Sequence, residues 1–573
     1  MSNSAPHGSQ APHDDHHISD HRSPLRKFLA LLAEEKKDIG FIYVFSVFTA
    51  LVGLALPLGI QGIITRVSGG LVFESVYVLI GLVILASAMS GVLQIMQIRL
   101  VEILQRRVFA RTAFQMTLSL LRLRFDALRG SHLPELMNRF FDVITLQKSL
   151  PKLLIDLSAA LIQILVGLLL LSFYHPFFIF LILFLAIFLY GIFRFTGPEG
   201  LYTSLKESTY KYKVAFWLEE TARVVRPARL FSHAEAIRQT DKLVTTYLSY
   251  RDKHFKILIV QYAWIVVFKV LVIGGLLILG VVLVVDNRIT LGQFVASEFV
   301  VLTLVGSVEK LVIYMDTIYD LLTATEKISH VTALYRENED GAASLTTRNP
   351  HGERGAEIVL RDLSAADSVG RPVLQHYTAA LLPGRLHLMD VHDQETINTL
   401  TDILLSAHED YQGVALADGI PIRELDNFTW RQQLGLYSGS ADLLAGTIET
   451  NLRLMHPDYS YNDFLLWMRR LGAEEDYLNL PDGLRNNLLP AGRNLEGYLA
   501  EIMPLAMRLM TAPRLLIIRD NVRFMTVGQK SRMVEVLAQY ARTNTVIVFS
   551  ADGIWRQDAA LVNDLTNPTP AAQ

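Results

Sequence analysis

Six apolar stretches dominate the first half of the chain: Ile39–Ile64, Val72–Ile95, Leu154–Phe173, Phe177–Phe195, Ile257–Val285 and Phe294–Ile318. Each is close to or longer than the roughly 20 helical residues that cross the hydrocarbon core of a bilayer. The last is the least hydrophobic. Together they predict a polytopic membrane domain with six transmembrane helices. Basic residues gather in two connections: Arg99 to Lys148 after the second stretch, and Lys206 to Lys242 after the fourth. Lys and Arg accumulate on the cytoplasmic side of a membrane, so this bias places both connections and both termini in the cytosol, on an inner or plasma membrane.

Those two connections keep apolar residues at helical spacing well beyond the lipid, as in "RLVEILQRRVFARTAFQMTLSLLRL" and "EAIRQTDKLVTTYLSYRDKHFKILI". The spanning helices are therefore expected to continue into the cytosol. "LRGSHLP" and Arg226–Pro227 interrupt the pattern near the far tips, where short crossing elements are expected. Charged residues within a span are costly. None stands central enough to mark a path, and Glu298, Glu309 and Lys310 in the last stretch come nearest.

The remaining segments set the boundaries. Residues 1–23, "MSNSAPHGSQAPHDDHHISDHRS", have no apolar core and read as a disordered, His-rich cytosolic tail. Its His7, His13, His16, His17 and His21 have no spacing that defines a metal site. Residues 24–335 form the membrane domain with its extensions. Residues 336–355 are polar and turn-rich, a linker. From 356 to 565 short β-branched strands ("AEIVL", "RLHLMD", "RLLIIRD", "TVIVFS") alternate with amphipathic helices ("NTLTDILLSA", "SRMVEVLAQYA"), which predicts an α/β domain. Residues 566–573 are a tail. A net charge of -3 gives no basic excess for nucleic acid, and the absence of cysteine excludes disulfides, thiol catalysis and Cys-ligated metal.

At this point a resemblance becomes specific. Six spans with long extensions followed by an α/β domain resemble a half-transporter of the ABC exporter family, in the branch of type I secretion and peptide exporters. "LALPLGIQGIITRV", "LPELMNRFFDV" and "ITLGQFVASEFVVLTLVGSVEKL" carry it in the membrane part. "LADGIPIREL", "LAGTIETNL" and "LPDGL" carry it around a nucleotide site. The resemblance implies a dimer and a P-loop-NTPase-like fold for the second domain.

It also implies a register in which "PGRLHLMDVHDQETINTLTDILL" overlies a strand, a phosphate-binding loop and a helix. Such a loop needs glycines so that backbone N–H groups approach phosphate, and a lysine to neutralise it. Here Val391, Gln394 and Thr396 fall on the glycine positions, Ile397 on the lysine and Asn398 on the metal-binding hydroxyl. Asp390, Asp393 and Glu395 add carboxylates. Glu496, Tyr498 and Leu499 replace the signature serine, glycine and glutamine, and only Gly497 survives. Arg519 and Asp520 stand for the metal-site aspartate and catalytic glutamate, Ala551 for the switch histidine, Gly439 for the glutamine and Asp367 for the adenine-stacking tyrosine.

The sequence thus predicts a degenerate nucleotide-binding domain with no catalytic, cofactor-binding or metal-binding residue assigned and no cofactor. The expected function is that of a non-catalytic half of an export complex for a peptide, lipid or small molecule, as a homodimer or as a heterodimer with another half-transporter. The alternative is a membrane scaffold or regulatory subunit of an export or envelope machine. A hydrolase using an unrelated site has only isolated carboxylates such as Asp520 behind it, and "HEDYQ" at His408 reads as a loop. Because the phosphate loop has turned acidic and the facing strand end cationic, Arg519 is expected to bridge Asp390, Asp393 or Glu395, with Asp390 favoured.

Overall fold

A computed structural model describes residues 23–68, 74–121, 137–174, 177–286, 288–332, 355–366, 371–391, 393–557 and 561–564. The described residues up to 332 fall into one compact unit and those from 355 onward into a second. The His-rich tail, the "LRGSHLP" tip, nearly all of the linker, Asp367 and residues 566–573 lie outside the described residues.

The first unit is helical. Its helices are α1 (Pro24–Ala33), α2 (Lys36–Gly53), α3 (Ala55–Ser68), α4 (Glu74–Leu121), α5 (Asp142–Pro151), α6 (Ser158–Tyr174), α7 (Phe177–Arg223), α8 (Val225–Ala228), α9 (His233–Val285) and α10 (Leu291–Thr332). Among the described residues, five segments are long and apolar enough to cross a membrane: Lys36–Val67, Glu74–Leu121, Arg139–Phe173, His233–Val285 and Leu291–Ser329. The expected fourth span, Phe177–Phe195, is helical throughout as the opening of α7. Helices α4, α7 and α9 run for 48, 47 and 53 residues. At about 1.5 Å per residue they are roughly 70–80 Å long, more than twice the ~30 Å hydrocarbon core, so they extend beyond it as the sequence predicts. The short α8 turns the chain between α7 and α9 at Arg226–Pro227.

Side chains knit the extensions together. Tyr210 of α7 stacks on Tyr250 of α9 with centroids 5.2 Å apart. Arg251 reaches Glu207 at 3.2 Å. His254 is buried between the Thr203 hydroxyl at 3.0 Å and the Asp316 carboxylate at 3.2 Å, so α7, α9 and α10 share one polar contact. Nearer the lipid, Phe268 of α9 stacks on Phe188 and Phe184 of α7.

The second unit is α/β. An antiparallel sheet in the order β2 (Pro372–Leu381), β1 (Ile358–Ala366), β4 (Gln412–Ala417), β5 (Ile420–Pro421) lies beside a wholly parallel one. The parallel order is β11 (Leu561–Asp564), β3 (Leu386–Asp390), β10 (Thr545–Phe549), β9 (Leu515–Arg519), β6 (Leu434–Tyr437). Strands β9 and β10 are central, so "LLII" and "TVIVF" are buried on both faces, which is why they read as continuous apolar runs. Helices α11 (Gln394–Leu404), α12 (Asn427–Gln432), α13 (Ile448–Met455), α14 (Tyr461–Leu471), α15 (Glu474–Leu478), α16 (Gly497–Met510) and α17 (Val527–Ala541) complete the unit. Most of α16 is buried, including Met503, Leu505 and Met507.

Candidate functional site

In a parallel sheet the carboxyl ends of the strands form the crevice where ligands bind. Here the ends of β3, β10 and β9 are in register, with Met389 beside Phe549 and Phe549 beside Arg519. The turn after β3, the start of α11 and the segment after β9 therefore meet, as the sequence register requires.

The turn after β3 is closed by its own side chains. Val391 is buried. Helix α11 starts at Gln394, and Asp393 is its N-cap: the carboxylate accepts from the Thr396 backbone N–H at 2.9 Å and from the Thr396 hydroxyl at 2.7 Å. Ile397, at the expected lysine position, packs against the apolar core that contains Met389, Val391 and Leu400. The Thr396 hydroxyl, first, and then its backbone N–H hold the Asp393 carboxyl below the usual range. The cap is therefore complete at neutral pH and is lost only as pH falls through that lowered value. Asp393→Ala should destabilise α11 by about 1 kcal/mol, read by amide exchange along the helix, whereas Glu395→Ala removes only a smaller dipole term.

Arg519 does not make the expected bridge. Its Nη2 donates to the Asn398 side-chain oxygen at 2.6 Å, and none of Asp390, Asp393 and Glu395 pairs with it. Asp390 instead meets Arg556 at 2.5 Å, and Asp393 is held by Thr396. The two segments are adjacent as expected, but a neutral amide satisfies the guanidinium. Burial pushes Arg519 below its ordinary value, while Asp402 and Asp442 favour its charge.

Asp520, the remaining carboxylate at the strand end, is enclosed. Its Oδ2 accepts from the Ser550 hydroxyl at 2.5 Å and the Trp555 indole at 2.7 Å, and it lies 2.8 Å from the Lys530 ammonium. Lys530 also bridges Asp552 at 2.7 Å. Burial works against the lysine charge, but Asp520 and Asp552 outweigh it and raise Lys530 above its ordinary value. Trp555 is fully buried. All three partners meet Oδ2 and hold the carboxylate in place, while Oδ1 is buried without a hydrogen-bond partner among the described residues. Trp555 and Lys530 were not legible as its partners, because nothing local in sequence links positions 520, 530, 550 and 555.

The remaining positions follow the same pattern. Tyr498 is buried, and its hydroxyl donates to the Leu471 carbonyl at the end of α14. Glu496 is exposed at the start of α16 and makes no side-chain cap. A side chain on Gly497 would meet Phe524. Gly439 takes φ +87°, and Ala551 is exposed. Glu501, which the sequence did not single out, accepts from the Arg523 N–H at 2.7 Å and fixes the turn after β9. No group of three or more potential metal ligands occurs among the described residues, and His408 lies buried in the segment after α11.

A nucleoside triphosphate with magnesium does not fit this arrangement. The amide at the start of α11 already serves Asp393, and three carboxylates line the turn. A guanidinium bonded to Asn398 stands where a metal ligand is required.

Residues 39–308 match the ABC transporter transmembrane region. The chain is similar in fold to a bacterial Atm1-family ABC exporter with ATP bound, at TM-score 0.78 over 94% of both chains and 14% identity. The protein is therefore a multi-pass membrane protein with an ABC exporter fold. A multidrug efflux ATP-binding/permease protein of Mycobacterium bovis is 27% identical over 31% of this chain and 15% of its own length. A multidrug resistance ABC transporter of Lactococcus lactis is 21% identical over 49% and 47%. An ATP-dependent lipid A-core flippase of Methylobacillus flagellatus is 20% identical over 53% and 52%. The matched part spans about half or less of these relatives.

Proposed function

We propose that the chain is a non-catalytic ABC-exporter-like subunit, acting in an inner or plasma membrane as one half of an export complex for a peptide, lipid or small molecule. Both termini are cytosolic in this reading, and the second half is either another copy or a different half-transporter. The observation that carries it is the self-capped start of α11, where Asp393 takes the backbone donor that a phosphate would need. The enclosed Asp520 supports it, since its Oδ2 is already taken by Lys530, Ser550 and Trp555.

The test is direct. The purified full-length protein is expected to show no ATP-dependent rise in melting temperature and no magnesium-dependent ATP hydrolysis. Micromolar ATP binding that requires magnesium would overturn the proposal. Robust ATP hydrolysis by a complex of this chain with one intact half-transporter, lost when that half is inactivated, would show that pairing with this chain leaves a working site.

A further inference from the structure

Helices α14 and α17 pack together within the α/β unit and leave an open groove of about 1030 Å³ between them. Three arginines line it: Arg470 near the end of α14, Arg532 on α17, and Arg542 just past the end of α17. Gly472 closes α14 at φ +79°, and a Cβ there would come within 2.7 Å of the Arg532 guanidinium. Only glycine therefore lets Arg532 lie across the helix end, where Nε donates to the Arg470 carbonyl at 2.9 Å and Nη2 to the Arg469 carbonyl at 3.2 Å. The Arg470 guanidinium sits 4.9 Å over the Trp467 ring, and that ring meets the buried Tyr540 edge-on at 5.8 Å. Two of the three cations are thus held in place by the fold itself, which lowers the ordering cost of binding an anion.

The charge in the groove is not matched from within. Among the described residues no carboxylate pairs with Arg470, Arg532 or Arg542, and Glu535, the only carboxylate among the lining residues, accepts from Gln539 at 3.4 Å instead. The spacing of the cations sets the shape of what would match them. Positions 532 and 542 are ten residues apart along α17, or about 15 Å of helix. A single phosphate or carboxylate cannot reach both, whereas an extended chain covers that distance in four or five residues at about 3.3 Å each. Between the two cations the groove is lined by Val536 and Tyr540, so its middle is apolar where its ends are cationic. Clustered arginines on a surface are a recurrent means of recognising acidic peptide motifs.

We propose that the groove between α14 and α17 binds an extended acidic segment of a partner protein. Arg470 and Arg532 meet carboxylates at one end, Arg542 meets one at the other, and an apolar side chain between them rests on Val536 and Tyr540. A second copy of this chain docked face to face would bring the same three cations and is the poorer match. The site lies wholly within the α/β unit and does not depend on the absence of ATP turnover, so a failure of either reading leaves the other standing.

The experiment measures fluorescence anisotropy of a labelled heptapeptide, two glutamates at each end and a Ser-Leu-Ser centre, with the purified full-length protein in mild detergent. The parent is expected to bind it about tenfold more tightly than the same peptide with glutamine in place of glutamate. The double variant Arg470→Gln, Arg542→Gln should lose that preference with its melting temperature unchanged, while Arg470→Lys, Arg542→Lys should keep part of it. Arg453→Gln, which removes an exposed arginine of α13 paired with Glu449, should keep it in full. Equal binding of the two peptides by the parent, or a preference that survives in the double glutamine variant or falls equally in Arg453→Gln, overturns the site and leaves general surface charge as the explanation. Competition by inorganic tripolyphosphate as strong, mole for mole, as that by unlabelled peptide overturns the peptide in favour of a simple anion. A double glutamine variant that changes oligomeric state in size-exclusion chromatography overturns the partner protein in favour of a second copy.

Discussion

Lys530→Met should destabilise the α/β unit by about 3 kcal/mol in chemical denaturation of the full chain, while Arg556→Ala should change it by less than about 1 kcal/mol. Both remove the cation of an ion pair within hydrogen-bonding distance, so distance does not separate them. Burial does. Asp520 is 2% exposed and Lys530 15%, so removing the lysine leaves a carboxylate out of water with only Ser550 and Trp555 as donors. Arg556 is 59% exposed, and water replaces it on Asp390. Asp520→Asn adds a functional contrast. In an enzyme that used this carboxylate as a base, the substitution would abolish turnover with stability largely kept. Here it should change stability, because Lys530 then keeps only Asp552. A Lys530→Met protein as stable as the parent would show that the enclosure is incidental.

The same cluster shows where sequence reasoning stopped. The alternation of strands and helices was legible because each strand of a parallel sheet is a continuous apolar run, and "RLHLMD" and "RLLIIRD" duly became β3 and β9. The register was legible too, since it brought positions 398 and 519 into contact. What failed was the choice of partner. Asp390 and Arg519 carry opposite charges at neighbouring strand ends, but each had a second option that the sequence does not rank. Asp393 satisfies a backbone N–H three residues on, a short-range contact with little ordering entropy, and it is not available to a distant arginine. Asp390 is taken by Arg556 from a segment that sequence spacing does not place. In the membrane part, Lys269 went unnoticed because a single lysine barely changes the hydropathy of a long apolar run; only the contact with Glu309 singles it out.

Rebuilding the phosphate loop should weaken the domain without recovering nucleotide binding. In a chain carrying Val391→Gly, Gln394→Gly, Thr396→Gly, Ile397→Lys and Asn398→Thr, three separate losses accumulate. Glycine at positions 394 and 396 costs up to about 1 kcal/mol each in helix propensity, and Thr396 also gives up its hydroxyl bond to Asp393. Removing the buried Val391 side chain costs about 2 kcal/mol, because the neighbours around it relax only in part. Asn398→Thr strips Arg519 of its amide partner and leaves the guanidinium half-buried. The sum is about 4 kcal/mol or more, with the usual non-additivity of neighbours. That is a large share of the stability of a domain this size. ATP still finds no metal site, since Arg519 and the enclosed Asp520 remain, and Asp393 and Glu395 still repel phosphate. Chemical denaturation and ATP-dependent thermal shifts of the quintuple variant read both halves of the claim. A variant as stable as the parent, or one whose melting temperature rises with magnesium-ATP, would mean that the loop residues alone separate this chain from an ATP-binding protein. The expected outcome means instead that the loop, the strand end and the Trp555 enclosure have been rebuilt around one another, so that no single segment can be reverted by itself.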